Sequence, residues 1–275
     1  MKSRINRVYN KFLSILRKPE MRILPGQIAF YFLMSFIPIL VLMALITSKI
    51  PLNINVINIV KSNLPDVLGN IIISFISGGS AKGGLILIVL AYLLIGLNGP
   101  ESIIVASNTI YNIKHSTFIK QKVKAGIMTI IIIILLIFMI LVPVLGDTIV
   151  KFILSLFENP EQFLKFKFVY NTFKIVISFL FVYFVIKLIY AIAPDKKIKS
   201  SQTTYGALFT TISWMIATKV FAFYITNLAK YDVLYGNFAN ILILLMWLYF
   251  LAYLFVVGMV LNADYNEKEQ IKDGK

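Results

Sequence analysis

The sequence contains no cysteine and a single histidine, His115, and only 12 of its 275 residues are acidic. Without cysteine there are no disulfides, no thiol nucleophile and no thiolate-ligated metal, and the redox compartment stays open. One histidine rules out paired-histidine metal sites and H-E-x-x-H. No G-x-x-x-x-G-K-[ST] occurs, so the chain is not its own P-loop ATPase; Gly78-Gly79-Ser80-Ala81-Lys82-Gly83-Gly84 is glycine-rich but lacks the motif. Charge is scarce as well, at 14% of residues against about 25% in soluble domains. These absences predict no catalytic residues, no metal site and no cofactor.

What is abundant is apolar sequence: 59% hydrophobic residues and a mean hydropathy of +0.85. Six stretches are long enough to cross a bilayer: 27–47, 85–110, 125–145, 169–193, 205–228 and 241–261. A ~30 Å hydrocarbon layer needs roughly 20 helical residues. The expected fold is all-α, a polytopic membrane domain over 23–264. A basic interfacial segment (1–22) precedes it, and a short charged tail that frays (265–275) follows.

The net charge of +15 reads as topology rather than as a nucleic-acid surface. Lys2, Arg4, Arg7, Lys11, Arg17, Lys18 and Arg22 precede the first span. Lys114, Lys120, Lys122 and Lys124 follow the second, and Lys196, Lys197 and Lys199 follow the fourth. Alternate connections are poorer in lysine and arginine, so both termini are predicted to be cytoplasmic, with the basic residues facing anionic headgroups. The first span is longer than a signal-peptide core and no A-x-A-like site follows it, so a cleaved signal is rejected.

Several connections are too apolar for plain loops. Ile5, Val8, Phe12, Leu13 and Leu16 share a helical face ahead of Pro19, and predict an interfacial helix. Residues 48–84 and 149–157 read as further elements lying on the outer face, with Gly78, Gly79, Gly83 and Gly84 as a joint.

At membrane depth an ionisable or amide side chain is costly if it faces lipid, so the polar residues within the spans are the candidate site. In span two these are Asn98, Pro100, Glu101 and Asn108, with Pro100 expected to loosen the helix. Glu101 and Lys187 reach similar depths by helical rise, so an interior pair is one expectation and independent snorkelling the other. Lys219 lies toward the outer side, snorkelling or meeting Asp147. In spans five and six the signal is aromatic: Trp214, Phe221, Phe223, Tyr224, Tyr231, Tyr235, Trp247, Tyr249 and Tyr253. Tyr231 and Tyr235 read as an interfacial belt, and the deeper rings as helix packing, with Gly258 permitting close approach.

The run Gln27-Ile-Ala-Phe-Tyr-Phe-Leu-Met-Ser-Phe-Ile-Pro38, carried by Ala29, Tyr31, Ser35 and Pro38, resembles the first span of the YihY/BrkB membrane proteins. Asn98-Gly99, Asn108-x-x-Tyr111 and Tyr190-Ala-Ile-Ala-Pro194 followed by Gly206-Ala207 resemble later parts of that family. Phe223-Tyr224, Tyr231-x-x-x-Tyr235-Gly236, Trp247-Leu-Tyr249 and Gly258-x-x-x-Asn262 resemble its last two spans, so the similarity runs from about Met21 to Asp264. Tyr205 stands where the family usually has proline, and Val260 where it commonly has glutamate.

The resemblance implies a bacterial inner-membrane protein linked to envelope integrity and serum resistance, with one branch linked to lipid A export. An older label for the family, ribonuclease BN, is opposed by the missing metal-ligand set and the short polar connections. The expected function is transport or flipping of a lipid or lipid-linked envelope precursor without ATP hydrolysis. The alternative is a non-transporting scaffold for envelope enzymes. Candidate site residues are Gln27, Ser35, Pro38, Asn98, Pro100, Glu101, Asn108, Lys187, Lys219, Tyr224 and Asn262, and the expected partners are membrane lipids rather than nucleic acid.

Overall fold

Apolar side chains recurring over more than five helical turns leave the backbone one way to satisfy its polar groups in lipid, namely within the helix. In the computed structural model, which describes residues 17–48, 90, 94–154, 160–227 and 239–272, the chain is helical throughout its regular parts. The elements are α1 (Glu20–Ser48), α2 (Asn98–Ile110), α3 (Phe118–Leu154), α4 (Pro160–Ile192), a 3-10 turn (Ser200–Thr203), α5 (Thr204–Asn227) and α6 (Ala239–Lys272).

Four segments among the described residues are long and apolar enough to span a membrane: Phe118–Phe138, Lys174–Ile192, Ser200–Ile225 and Leu242–Glu267. They fall on the third to sixth expected spans. Residues 85–89 and 91–93 of the segment expected as span two, and the interfacial and outer elements expected over 1–16, 49–84 and 155–157, lie outside the described residues. So do Tyr231 and Tyr235.

The helices pack in an order close to their sequence order: α1 on α2, α2 on α3, α3 on α4, α4 on α5 and α5 on α6. The circuit closes because α6 packs along α1. The core is one cluster drawn from every helix, centred on Ile104, Met128, Ile186, Tyr190, Val256 and Met259. Outward faces keep large apolar side chains exposed, including Ile119, Val123, Ile130, Phe184, Val220 and Phe223, as lipid-facing helices require.

The expected loosening of span two falls beside Pro100, where a turn at Leu97 separates helical residues 94–96 from α2 and the proline stands in the first turn of α2. Two expectations are corrected here. The charged tail does not fray at Asp264, because α6 runs on to Lys272. Lys18 Nζ holds Asp264 Oδ1 at 3.1 Å, and Asn266 is buried. Residues 149–154 are not a separate element either, because α3 passes through them without a break.

The ends bearing Lys18, His115, Lys124, Asp195, Tyr205 and Asp264 gather at one side of the bundle, where side-chain contacts tie them to one another.

Candidate functional site

Among the described residues, three groups of polar side chains stand at different helix crossings. The first lies between α1 and α2. In an unbroken helix Gly99 N would donate to Ile95 O, one turn back. Here Gly99 N donates to Ser35 Oγ at 2.8 Å, and Ser35 Oγ donates to Ile95 O at 3.1 Å. A hydroxyl from α1 has been inserted into a rung of its neighbour, one of the recognised causes of a helix break. The next rung is also absent, because Pro100 has no N–H to offer Gly96 O. Regular bonding resumes with Glu101 N to Leu97 O at 2.9 Å.

The crossing is tight. A Cβ on Gly99 would lie 3.0 Å from Ser35 Oγ, and one on Gly96 would lie 3.2 Å from Pro38 Cβ. Ser35 and Pro38 of α1 thus meet Gly99 and Gly96 at the break, and Asn98, Pro100 and Glu101 stand beside them in the first turn of α2.

Glu101 extends from this crossing toward α3. Its Oε2 accepts from Lys122 Nζ at 2.5 Å, so the ion pair forms with Lys122 and not with Lys187. Lys122 also reaches Asn98 Oδ1 at 3.4 Å and lies 5.4 Å from the centre of the Phe118 ring. Lys187 instead sits over Tyr183, 5.7 Å from that ring's centre. Helical rise gave the depths of Glu101 and Lys187, but it could not say that they face different neighbours.

The second group ties the ends of α2, α3 and α4 together. Asn112, at φ 51°, ends α2 in a left-handed turn. Asn112 N bonds Thr109 O at 3.2 Å and Ile113 N bonds Asn108 O at 2.8 Å, the Schellman pairing that turns the chain back over the helix end. His115 Nδ1 thereby comes within 3.3 Å of Asn108 Nδ2.

Pro194 closes α4, and the following residue is the hub. Asp195 N donates to Asn108 Oδ1 at 2.8 Å, and Asp195 Oδ2 accepts from Asn108 Nδ2 at 2.7 Å and Ser116 N at 2.9 Å. Asp195 Oδ1 pairs with Lys124 Nζ, which also donates to Pro194 O at 3.0 Å. Burial would raise the Asp195 carboxyl, since its side chain is only 3% exposed. The Lys124 ammonium and the donors from Ser116 and Asn108 outweigh that and hold it well below the usual carboxylate range.

The third group joins α4, α5 and α6. Gly206 and Gly258 bring two backbones into contact: a Cβ on Gly206 would stand 2.1 Å from Gly258 O. Asn262 Oδ1 accepts from Gly206 N at 2.7 Å, capping one of the unpaired donors in the first turn of α5. Beside it, Tyr190 OH lies 2.7 Å from Thr210 Oγ1 and donates to Phe255 O at 2.7 Å. Asn262 is fully buried, and its Nδ2 has no hydrogen-bond partner. Trp214 Nε1 donates to Leu251 O at 2.9 Å, so this ring serves helix packing as expected.

The remaining expected residues do not join these groups. Gln27 is half-buried on α1 two turns before Ser35, Lys219 is exposed on α5, and Tyr224 lies near the end of the same helix. The Asp147 side chain lies outside the described ones. Val260, where a glutamate was expected by resemblance, is buried in the apolar core. Sequence reasoning missed Asp195, Lys122 and Lys124 as site residues. The two lysines counted only as topological charge, and Asp195 follows the Tyr190–Pro194 run that had already stood out.

The comparisons bear on this arrangement. The chain matches the virulence factor BrkB family over residues 16–275. It belongs to the BrkB family. Among BrkB relatives, the ribonuclease-like protein YfkH of Bacillus subtilis is 27% identical over 253 residues, 90% of this chain and 91% of that protein. A UPF0761 membrane protein of Haemophilus influenzae is 33% identical over 97 residues, 35% of this chain and 36% of that protein. A UPF0761 membrane protein of Vibrio cholerae is 33% identical over 107 residues, 39% of this chain and 36% of that protein. No solved structure matches.

Proposed function

We propose that this BrkB protein moves or flips a lipid or lipid-linked envelope precursor across a bacterial plasma membrane, with no ATP hydrolysis and no enzymatic step of its own. The observation that carries the reading is the α1–α2 crossing. Two consecutive rungs of the helix are missing there, and the only bridge across the first of them is the Ser35 hydroxyl. Broken helices at membrane depth are tolerated where they line a cavity or a moving interface, and lipid alone cannot satisfy the freed carbonyls. Glu101 beside the break carries a charge that is paired with Lys122 and still partly exposed. Both termini on the cytoplasmic side would put the basic connections against the anionic leaflet, where they would gather headgroups.

The test is reconstitution of the purified protein into vesicles bearing headgroup-labelled phospholipid in one leaflet. Translocation clearly faster than in empty vesicles, with or without a proton gradient, supports transport; a rate equal to that of empty vesicles refutes it.

A second reading, a membrane scaffold for envelope enzymes, is favoured by the Asn108–Asp195–Lys124 knot and the Gly206–Gly258 contact, which fix the basic end of the bundle rigidly. Removing the Glu101 charge would leave a scaffold's phenotype intact and would impair a transporter. The ribonuclease-like description of YfkH is not extended to this chain. It has a single histidine and no cysteine, and among the described residues no three His, Cys, Asp or Glu side chains converge as metal ligands do.

A further inference from the structure

Three ion pairs occur among the described residues, and they differ in what surrounds them. Lys124–Asp195 is tied to the Ser116 N–H, the Pro194 carbonyl and the Asn108 side chain, and its carboxylate is 3% exposed. Lys18–Asp264 ties the start of α1 to the end of α6. Glu101–Lys122 differs from the first in its exposure, 19% and 22%, and from the second in joining the neighbouring helices α2 and α3 rather than the two ends of the bundle's chain.

The surfaces beside it are apolar and exposed: Leu94 and Ile95 ahead of α2, and Phe118, Ile119, Val123 and Ile127 along α3. Lys122 lies in the first two turns of α3, near the start of the apolar segment that begins at Phe118, so the pair stands toward the end of the bundle where a headgroup would meet the helices. With about a fifth of each side chain still exposed, the pair is reachable by a competing headgroup.

From this placement we propose that Glu101 and Lys122 form the recognition site for a phospholipid whose headgroup carries both a phosphodiester and a primary ammonium. Lys122 takes the phosphate and Glu101 takes the ammonium, so that one internal pair opens into two intermolecular ones. Asn98, already 3.4 Å from Lys122 Nζ, stays within reach of the headgroup, and the exposed apolar side chains of α3 receive the acyl chains. A headgroup with a quaternary ammonium has no N–H to give Glu101. A purely anionic headgroup satisfies Lys122 but leaves the carboxylate facing negative charge. Charge complementarity thus selects one class of membrane lipid over two abundant rivals. The inference rests on the transport reading only in treating this lipid as cargo; the binding site stands without it.

The test is native mass spectrometry of the full-length protein released from detergent with equimolar phosphatidylethanolamine, phosphatidylcholine and phosphatidylglycerol. The wild type is expected to retain phosphatidylethanolamine at least about tenfold more than either competitor, the scale of one charge-assisted contact. Glu101→Gln should abolish that preference while leaving phosphatidylglycerol bound, and Lys122→Gln should reduce retention of all three. The doubly exchanged protein, Glu101→Lys with Lys122→Glu, keeps the zwitterion and should regain the preference. That outcome guards against misreading a folding defect.

Equal retention of the three lipids by the wild type, or a phosphatidylethanolamine preference that survives Glu101→Gln, overturns the proposal. Preferential retention of phosphatidylglycerol by the wild type overturns it as well, since that describes an anion site made by lysines alone. If the preference holds but vesicles show no translocation, the headgroup site stands and the transport reading falls.

Discussion

Replacing Gly258 with alanine adds a single methyl group where the structure has no space for one. The new Cβ would stand 2.1 Å from Thr210 Oγ1, 2.5 Å from Tyr190 OH and 2.9 Å from Gly206 O. The last of these is backbone and cannot swing aside, so α5 and α6 must separate. Overpacking of this kind costs about 1–3 kcal/mol. Separation also strains the Tyr190–Thr210 and Asn262–Gly206 hydrogen bonds, each contributing about 0.5–1.5 kcal/mol when buried. Together the expected loss is about 2–6 kcal/mol.

The measurement is unfolding by SDS from detergent micelles, with Gly26→Ala as the comparison. At Gly26 the nearest atom to an added Cβ is Tyr249 Cε2 at 3.9 Å, an ordinary contact, so that variant should unfold like the wild type. Thr210→Ala removes the closest obstacle, so the double variant Gly258→Ala/Thr210→Ala should recover part of the loss as a non-additive term. A Gly258→Ala protein as stable as Gly26→Ala would show that the two helices are not in backbone contact, and the third polar group would have to be redrawn.

Ser35→Ala should remove the only bridge between Gly99 N and Ile95 O. Unless the two groups meet directly, the cost is about 1–3 kcal/mol, and amide exchange at Gly99 should quicken; unchanged exchange would refute the inserted-hydroxyl description. Asp195→Asn should destabilise by about 3–5 kcal/mol, because it leaves the Lys124 ammonium facing a neutral partner. The Asp195 carboxyl is depressed in the folded protein, so its contribution is complete above the ordinary aspartate range near pH 4 and is lost as pH falls below it. SDS unfolding measured from pH 6 downward should show this acid limb in the wild type, with the limb diminished in Asp195→Asn.

How much was legible beforehand differs between fold and site. The later spans could be read because hydropathy over some twenty residues is a property of the segment alone, and the helices from Phe118 to Glu267 fall where it placed them. The helical continuation from Asp264 to Lys272 could not be read that way. Asp264 at its start is held by Lys18, far off in sequence, and Asn266 is buried.

Within the site, Ser35, Pro38, Asn98, Pro100 and Glu101 stood out as polar or proline residues in apolar runs, and the structure brings them to one crossing. The partner of Glu101 did not stand out. Rise along a helix fixes depth but leaves azimuth open, and a lysine from the adjoining connection reaches as deep as one within a span. Asp195 was hidden for a different reason. It lies in a connection where charge is expected, and only the return of the chain after Asn112 shows that an asparagine and a lysine converge on it.

The transport reading requires α1 and α2 to move at the Ser35 crossing, and the chain offers a direct way to prevent it. There are no native cysteines, and a Cβ at position 96 would lie 3.2 Å from Pro38 Cβ, a few tenths of an ångström short of the roughly 3.5–4.5 Å of a disulfide, so a slight parting of the helices admits one. In vesicles with labelled headgroups, Pro38→Cys/Gly96→Cys should translocate lipid when reduced and stop when oxidised, with each single variant indifferent to oxidant. Equal translocation by the reduced and the verifiably cross-linked protein would contradict the account.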